Sequence, residues 1–153
     1  MKSILITYGT QAFAQRIGRS LANDYQVAYA TSEPLPDILL KQGYHRIPTG
    51  ANPTFAHELL KLCLDQDCTY LLPLGKLEVA PLAEARVLLE EYGITLLLPE
   101  DISSFLVLEQ PQGDVRIIQA GKDLLTGELR SSVRFSGAAL IADGGEEPAW
   151  CLI

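Results

Sequence analysis

"ILITYGTQAFAQRIGRSL", residues 4–21, decides the fold. Residues 3–8, "SILITY", read as one largely apolar run, as in a parallel strand covered on both faces. Residues 11–22 then change to helical spacing, with Phe13, Ala14, Ile17, Gly18 and Leu21 on one stripe and Gln15, Arg16 and Arg19 opposite. A strand entering a helix through a glycine turn is where an α/β fold holds a phosphate. Only Gly9 and Gly18 are glycines here, whereas a dinucleotide site uses three. The stretch therefore reads first as a tight turn. Its second reading is a cradle in which the backbone and the Thr10 hydroxyl hold a single phosphate or carboxylate.

The same alternation continues downstream. Strands are expected at 26–31, 44–48, 69–74 and 94–99, and helices at 36–43, from Pro53 onward, and at 77–92. Asn52 suits an N-cap and Pro53 the first helical position. Ala56, Leu59, Leu60 and Cys63 form one inner stripe, and Leu82, Ala85, Leu89 and Tyr92 another, which Gly93 ends. Alternating strands and helices with short connections call for a parallel sheet with right-handed crossovers. After Leu98 the texture changes. "DISSFLVLEQ" suggests a short helix, and "DVRIIQAG", "ELRSSVRFSG", "AALIADGG" and "PAWCLI" read as antiparallel hairpin strands.

The expected architecture is α/β: a Rossmann-like, three-layer parallel sheet of about five strands over residues 1–112. A C-terminal antiparallel β-hairpin extension over 113–153 packs on the same domain or on a dimer partner. The apolar run Trp150–Ile153 motivates the homodimer.

Composition narrows the function classes. The 153 residues carry a net charge of −7 with no basic stripe, which excludes nucleic acid as the expected partner. No run approaches the ~20 apolar residues of a membrane span, and the N-terminus lacks signal-peptide character. Three cysteines do not form a framework of bridges, so a cytoplasmic protein with reduced thiols is expected.

Several residues then carry a resemblance. Gly9 follows the first strand, a proline-bearing loop from Pro48 to Pro53 follows the third, Leu72-Pro73 ends the fourth, and Glu78 opens an acidic helix start. In this order of elements, residues 3–99 resemble the pre-ATP-grasp domain, the Rossmann-like N-terminal domain of ATP-grasp ligases. The resemblance implies a small-ligand crevice. The ATP-grasp module would carry the nucleotide lysines and magnesium carboxylates, but only 55 residues follow Leu98. The implied role is a stand-alone domain, not catalytic alone, that holds an anionic or nucleotide-like ligand beside a separate ATP-grasp protein. Alternatives are a small NAD(P)-binding Rossmann enzyme and a non-catalytic dimerisation protein. No cofactor is specified.

Candidate ligand-binding residues follow from the rule that open parallel sheets bind ligands beyond the carboxyl ends of their strands. They are Gly9, Thr10 and Gln11 after the first strand, Glu33 after the second, and Gly75, Lys76 and Glu78 after the fourth. Lys76 suits an anion and Glu78 an amine or ribose hydroxyl. Glu78 also suits plain complementation of a helix N-terminus. His45 and His57 read as solvated, and Cys63 as a small core group. Cys63 and Cys68 lack the second pair of a metal site.

Overall fold

The computed structural model describes residues 1–141 and 148–153. Its fifteen elements, in chain order, begin with β1 (Ser3–Ile6), α1 (Ala12–Leu21), β2 (Gln26–Thr31), α2 (Asp37–Leu40), β3 (Tyr44–Arg46), α3 (Phe55–Asp65) and β4 (Tyr70–Leu72). Then come α4 (Lys76–Glu84), α5 (Arg86–Glu91), β5 (Thr95–Leu96), β6 (Val107–Glu109), β7 (Val115–Gln119), β8 (Lys122–Asp123), β9 (Gly137–Leu140) and β10 (Ala149–Leu152).

β1 to β5 form one parallel sheet in the order β3-β2-β1-β4-β5. Strand alternation divides its side chains between two cores. Ile4, Ile6, Tyr70 and Leu72 meet the α1 stripe of Phe13, Ala14, Ile17 and Leu21. Leu5, Ala30, Leu71 and Leu96 meet α3 through Phe55, Leu59 and Cys63, and α4 and α5 through Leu82 and Leu89. The expected α1 stripe is the set of residues that α1 buries, Gly18 included.

The remaining strands form a mixed sheet in the order β6-β10-β9-β7-β8. β7 and β8 make a tight antiparallel hairpin, and both of its turn residues, Ala120 and Gly121, have positive φ. Such a turn matches the twist of the flanking strands. β9 pairs antiparallel with β7 and with β10. β10 pairs parallel with β6, so the sheet is not antiparallel throughout and draws a strand from before residue 113. The second sheet adds Ile117, Ala138 and Cys151 to the α1 core, and Ile118, Ala139, Trp150 and Leu152 to the other, where Phe135 from the segment before β9 joins them. The apolar 150–152 segment that suggested a dimer is thus buried within its own chain. Arg16 fastens the two parts by donating to the Pro111 carbonyl at 2.6 Å.

Local chemistry explains where elements differ from the sequence expectation. α3 begins at Phe55, because Asn52 Oδ1 accepts from both the backbone N–H and the hydroxyl of Thr54 and holds the preceding residues in a turn. The expected 77–92 helix is interrupted at Ala85, whose backbone leaves the helical region at ψ 2° and whose N–H is shared between the Pro81 and Leu82 carbonyls. Tyr92, expected inward, is exposed beyond that break. No helix forms across 100–109. Asp101 accepts from Ser103 N–H, Ser103 Oγ and Ser104 Oγ, so side chain and backbone close a local turn instead. These bonds hold the Asp101 carboxyl down to about 2. In "ELRSSVRFSG" residues 128–136 are irregular apart from the Lys122–Leu129 bridge, and Gly137 opens β9. The glycine turn expected within "AALIADGG" lies outside the described residues.

Candidate functional site

Strand order reverses between β1 and β4, so the loops leaving their carboxyl ends meet at one rim. A Cβ on Gly75 would stand 2.2 Å from Cε2 of Tyr8. Gly9 and Gly75 therefore belong to the same rim. The space between the two loops is filled by the Tyr8 ring, held by a backbone with φ +55°. An aromatic residue in that region costs on the order of 1–3 kcal/mol, which the surrounding packing must offset.

The first loop is closed around tyrosines. A Cβ on Gly9 would lie 2.4 Å from Tyr29 Cβ, and one on Gly18 would lie 1.9 Å from the Tyr29 hydroxyl. Both glycines thus make room for one β2 side chain. Tyr29 stacks on Tyr44 with ring centroids 5.0 Å apart. Gln15 Nε2 completes the seal, donating to the Gly9 carbonyl at 2.5 Å and to the Tyr44 hydroxyl at 2.7 Å. The Gly9 N–H is also committed, to the Ala30 carbonyl. Thr10 donates to Glu33 Oε2 at 3.3 Å, joining two of the expected residues. Gln11 occupies the N-cap position of α1 without a side-chain bond to it.

The second loop splits its own candidates. Glu78, the third residue of α4, is 3% exposed, and its Oε1 accepts from the Gly75 N–H at 3.1 Å and from the Thr7 hydroxyl at 2.5 Å. Thr7 Oγ1 in turn accepts from Leu74 N–H at 2.8 Å, giving a buried relay between the two loops. Burial pushes the Glu78 carboxyl up to about 7, although the three hydrogen-bonding groups around it favour the charged form. Burial, with Glu78 nearby, also raises the Tyr8 phenol. Lys76 turns the other way and pairs with Glu109 of β6. Ile153 N–H donates to the Leu74 carbonyl at 2.7 Å, which fixes the end of β10 against this loop.

Beside that contact lies a shallow, open cavity of about 400 Å³ between α4 and the second sheet. Val79, Trp150 and Leu152 form its buried floor, Ile102 and Val107 its sides, and Lys76 and Glu109 its charged rim. That volume is within the ~300–1,000 Å³ of small-ligand pockets, and a mostly apolar lining with few polar groups is their usual character. Of the seven sequence candidates, Lys76 alone lines this cavity. The other lining residues escaped sequence reasoning. Their signal was the alternation in "VLE" and "AWCL", which places Val107 with Glu109, and Trp150 with Leu152, on one strand face each.

His45 corrects an expectation. It is half-buried on the edge strand β3, its Nε2 is buried with no hydrogen-bond partner, and burial lowers its pKa. His57 is exposed, and Cys63, Cys68 and Cys151 are all buried and unbridged. Asp123 is a second buried carboxylate, engaged by Arg116 Nε at 2.7 Å and by the N–H groups of Leu125 and Thr126. It organises the β8 turn. Among the described residues, no group of three or more His, Cys, Asp or Glu could hold a metal ion, and no helix is long and apolar enough to cross a membrane. No family model matches the chain, and no curated protein sequence matches it.

Proposed function

We propose that the chain is a small-ligand-binding module built on a Rossmann-like plan similar to a pre-ATP-grasp domain, with ligand taken at the α4 side of the parallel sheet's carboxyl rim. The carrying observation is the cavity of about 400 Å³ that Lys76 and Val79 of α4 share with the second sheet. The strand order β3-β2-β1-β4-β5 supports the Rossmann-like plan, because its reversal between β1 and β4 is the position where such sheets bind ligands. In this reading the chain binds and presents a ligand, and a separate ATP-grasp ligase supplies the chemistry. The unbridged cysteines fit a reducing, cytoplasmic compartment.

The tyrosine packing at Gly9 and Gly18 weighs against the nicotinamide reading, since a pyrophosphate there would compete with Tyr29 for the same space. Thermal unfolding with a panel of nucleotides, phosphate, carboxylic acids and amino acids tests the proposal. A ligand that binds only the folded state raises the midpoint. At least one compound should do so in the natural chain and fail to do so in Lys76→Ala. A flat response across the whole panel contradicts the reading.

A further inference from the structure

The geometry points to one ligand class for the cavity beside α4: a small zwitterion with an apolar side chain, as in a free branched or aromatic α-amino acid. This rests on the binding reading above and deepens it by fixing the chemistry of the occupant.

α4 and the second sheet build the cavity, with Ile102 from the loop before β6 at its side, and helix and sheet each present one charge above apolar groups. The parallel register pairs Val107 with Trp150 and Glu109 with Leu152, so these four side chains share one face of the second sheet. Lys76 and Val79 are three apart in α4 and share the face that meets it. The result is an apolar concavity whose rim ends in one cation and one anion side by side. Val79, Trp150 and Leu152 are buried at its floor, while Ile102 and Val107 are more than a third exposed at its sides. An apolar side chain of a ligand would cover those exposed groups and gain by leaving water.

Charge complementarity selects the rest of the ligand. A simple anion would satisfy Lys76 and stand against Glu109, and a simple cation would do the reverse. A nucleotide brings several negative charges and none to match Glu109. A zwitterion places its carboxylate on Lys76 Nζ and its ammonium on Glu109, and both contacts are charge-assisted hydrogen bonds. Lys76 and Glu109 already pair with each other, but their side chains are 52% and 66% exposed. An exposed pair is weakly held, so opening it to admit the ligand costs little. Internal peptide segments lack the adjacent free charges.

The intact chain provides its own reporter, because Trp150 is the one tryptophan and lies in the cavity floor. Trp150 emission is titrated with L-leucine, L-phenylalanine, 4-methylpentanoate, isopentylamine and ATP, with thermal unfolding followed in parallel. A saturable response to an amino acid is expected. The carboxylate and amine analogues of leucine should bind about two- to fivefold more weakly, having each lost one charge-assisted contact to an exposed group. Lys76→Ala and Glu109→Ala should each weaken the amino acid to the same degree with the far-ultraviolet circular dichroism unchanged. Lys76→Glu combined with Glu109→Lys should recover part of the loss. If 4-methylpentanoate or ATP binds as well as any amino acid and Glu109→Ala has no effect, the zwitterion assignment is overturned while the binding reading stands. If nothing in the wider panel moves either signal, both are overturned.

Discussion

The loop after β1 and the loop after β4 occupy equivalent positions, each leaving a central strand, carrying a glycine and entering a helix. They are used in opposite ways. The 7–11 loop is closed: Gly9 accommodates Tyr29, the Tyr8 ring covers Gly75, and Gln15 ties the Gly9 carbonyl to Tyr44. The 74–78 loop is open on one side, with Glu78 turned inward to Thr7 and Lys76 turned outward over a cavity. The difference shows that a glycine at a phosphate-loop position is decided by what reaches it from elsewhere in the fold. Tyr29 is twenty residues from Gly9 in sequence and in contact with it in space.

The comparison can be broken most forcefully at Gly9. Its missing Cβ faces the Tyr29 backbone and Cβ, neither of which can swing aside, so Gly9→Ala should destabilise by about 3 kcal/mol in urea unfolding. A neutral result would mean that the first loop is not sealed. Glu78 tests the buried join between the loops. Its carboxyl is raised from 4.5 to about 7, so the folded state binds the proton more tightly than the unfolded state does. Its contribution is fully present below pH 4.5 and is lost as pH rises through about 7, by about 3 kcal/mol. Unfolding free energy of the natural chain minus that of Glu78→Gln should fall by that order between pH 4.5 and pH 8. A pH-independent difference would place the carboxyl in water.

Gly18→Ala should cost less, about 1 kcal/mol net. The clash is with the far end of the Tyr29 ring, and alanine returns about 1 kcal/mol of helix propensity. In a Tyr29→Phe background, which lacks the hydroxyl nearest the new Cβ, the cost should shrink. Unchanged cost would separate Gly18 from Tyr29. The smallest stability effect belongs to Lys76→Ala, whose ion pair is exposed and whose loss should leave the unfolding midpoint in place. Only the ligand response should change. A large loss of stability there would make the Lys76–Glu109 contact part of the scaffold and not part of a site.

Much of the parallel sheet was legible because burial wrote it into local periodicity. The apolar run of β1 and the five-residue stripe of α1 state their environment without reference to the rest of the chain. Gly93, at φ +80°, ends α5 as the helical pattern implied. What was not legible depends on distant partners or on competing local bonds. Asn52 and Asp101 have the composition of helix starts, yet their side chains close turns first. The parallel pairing of β6 with β10 joins segments about forty residues apart, which no hairpin pattern announces. His45 sits beside Arg46 on an edge strand and reads as solvated, but its Nε2 is buried at the position paired with Ala30 of β2. Among the candidate residues, Lys76 was found because it leads a helix after a central strand. Glu109 and Trp150 were missed because their meeting is tertiary.

A crystal structure determined after soaking with L-leucine and, separately, with ATP tests the contrast between the two loops most directly. Ordered ligand over Trp150, between Lys76 and Glu109, is the predicted result, with Tyr8 and Tyr29 unmoved. Ligand seated on Gly9 and Thr10 with Tyr29 displaced would contradict it.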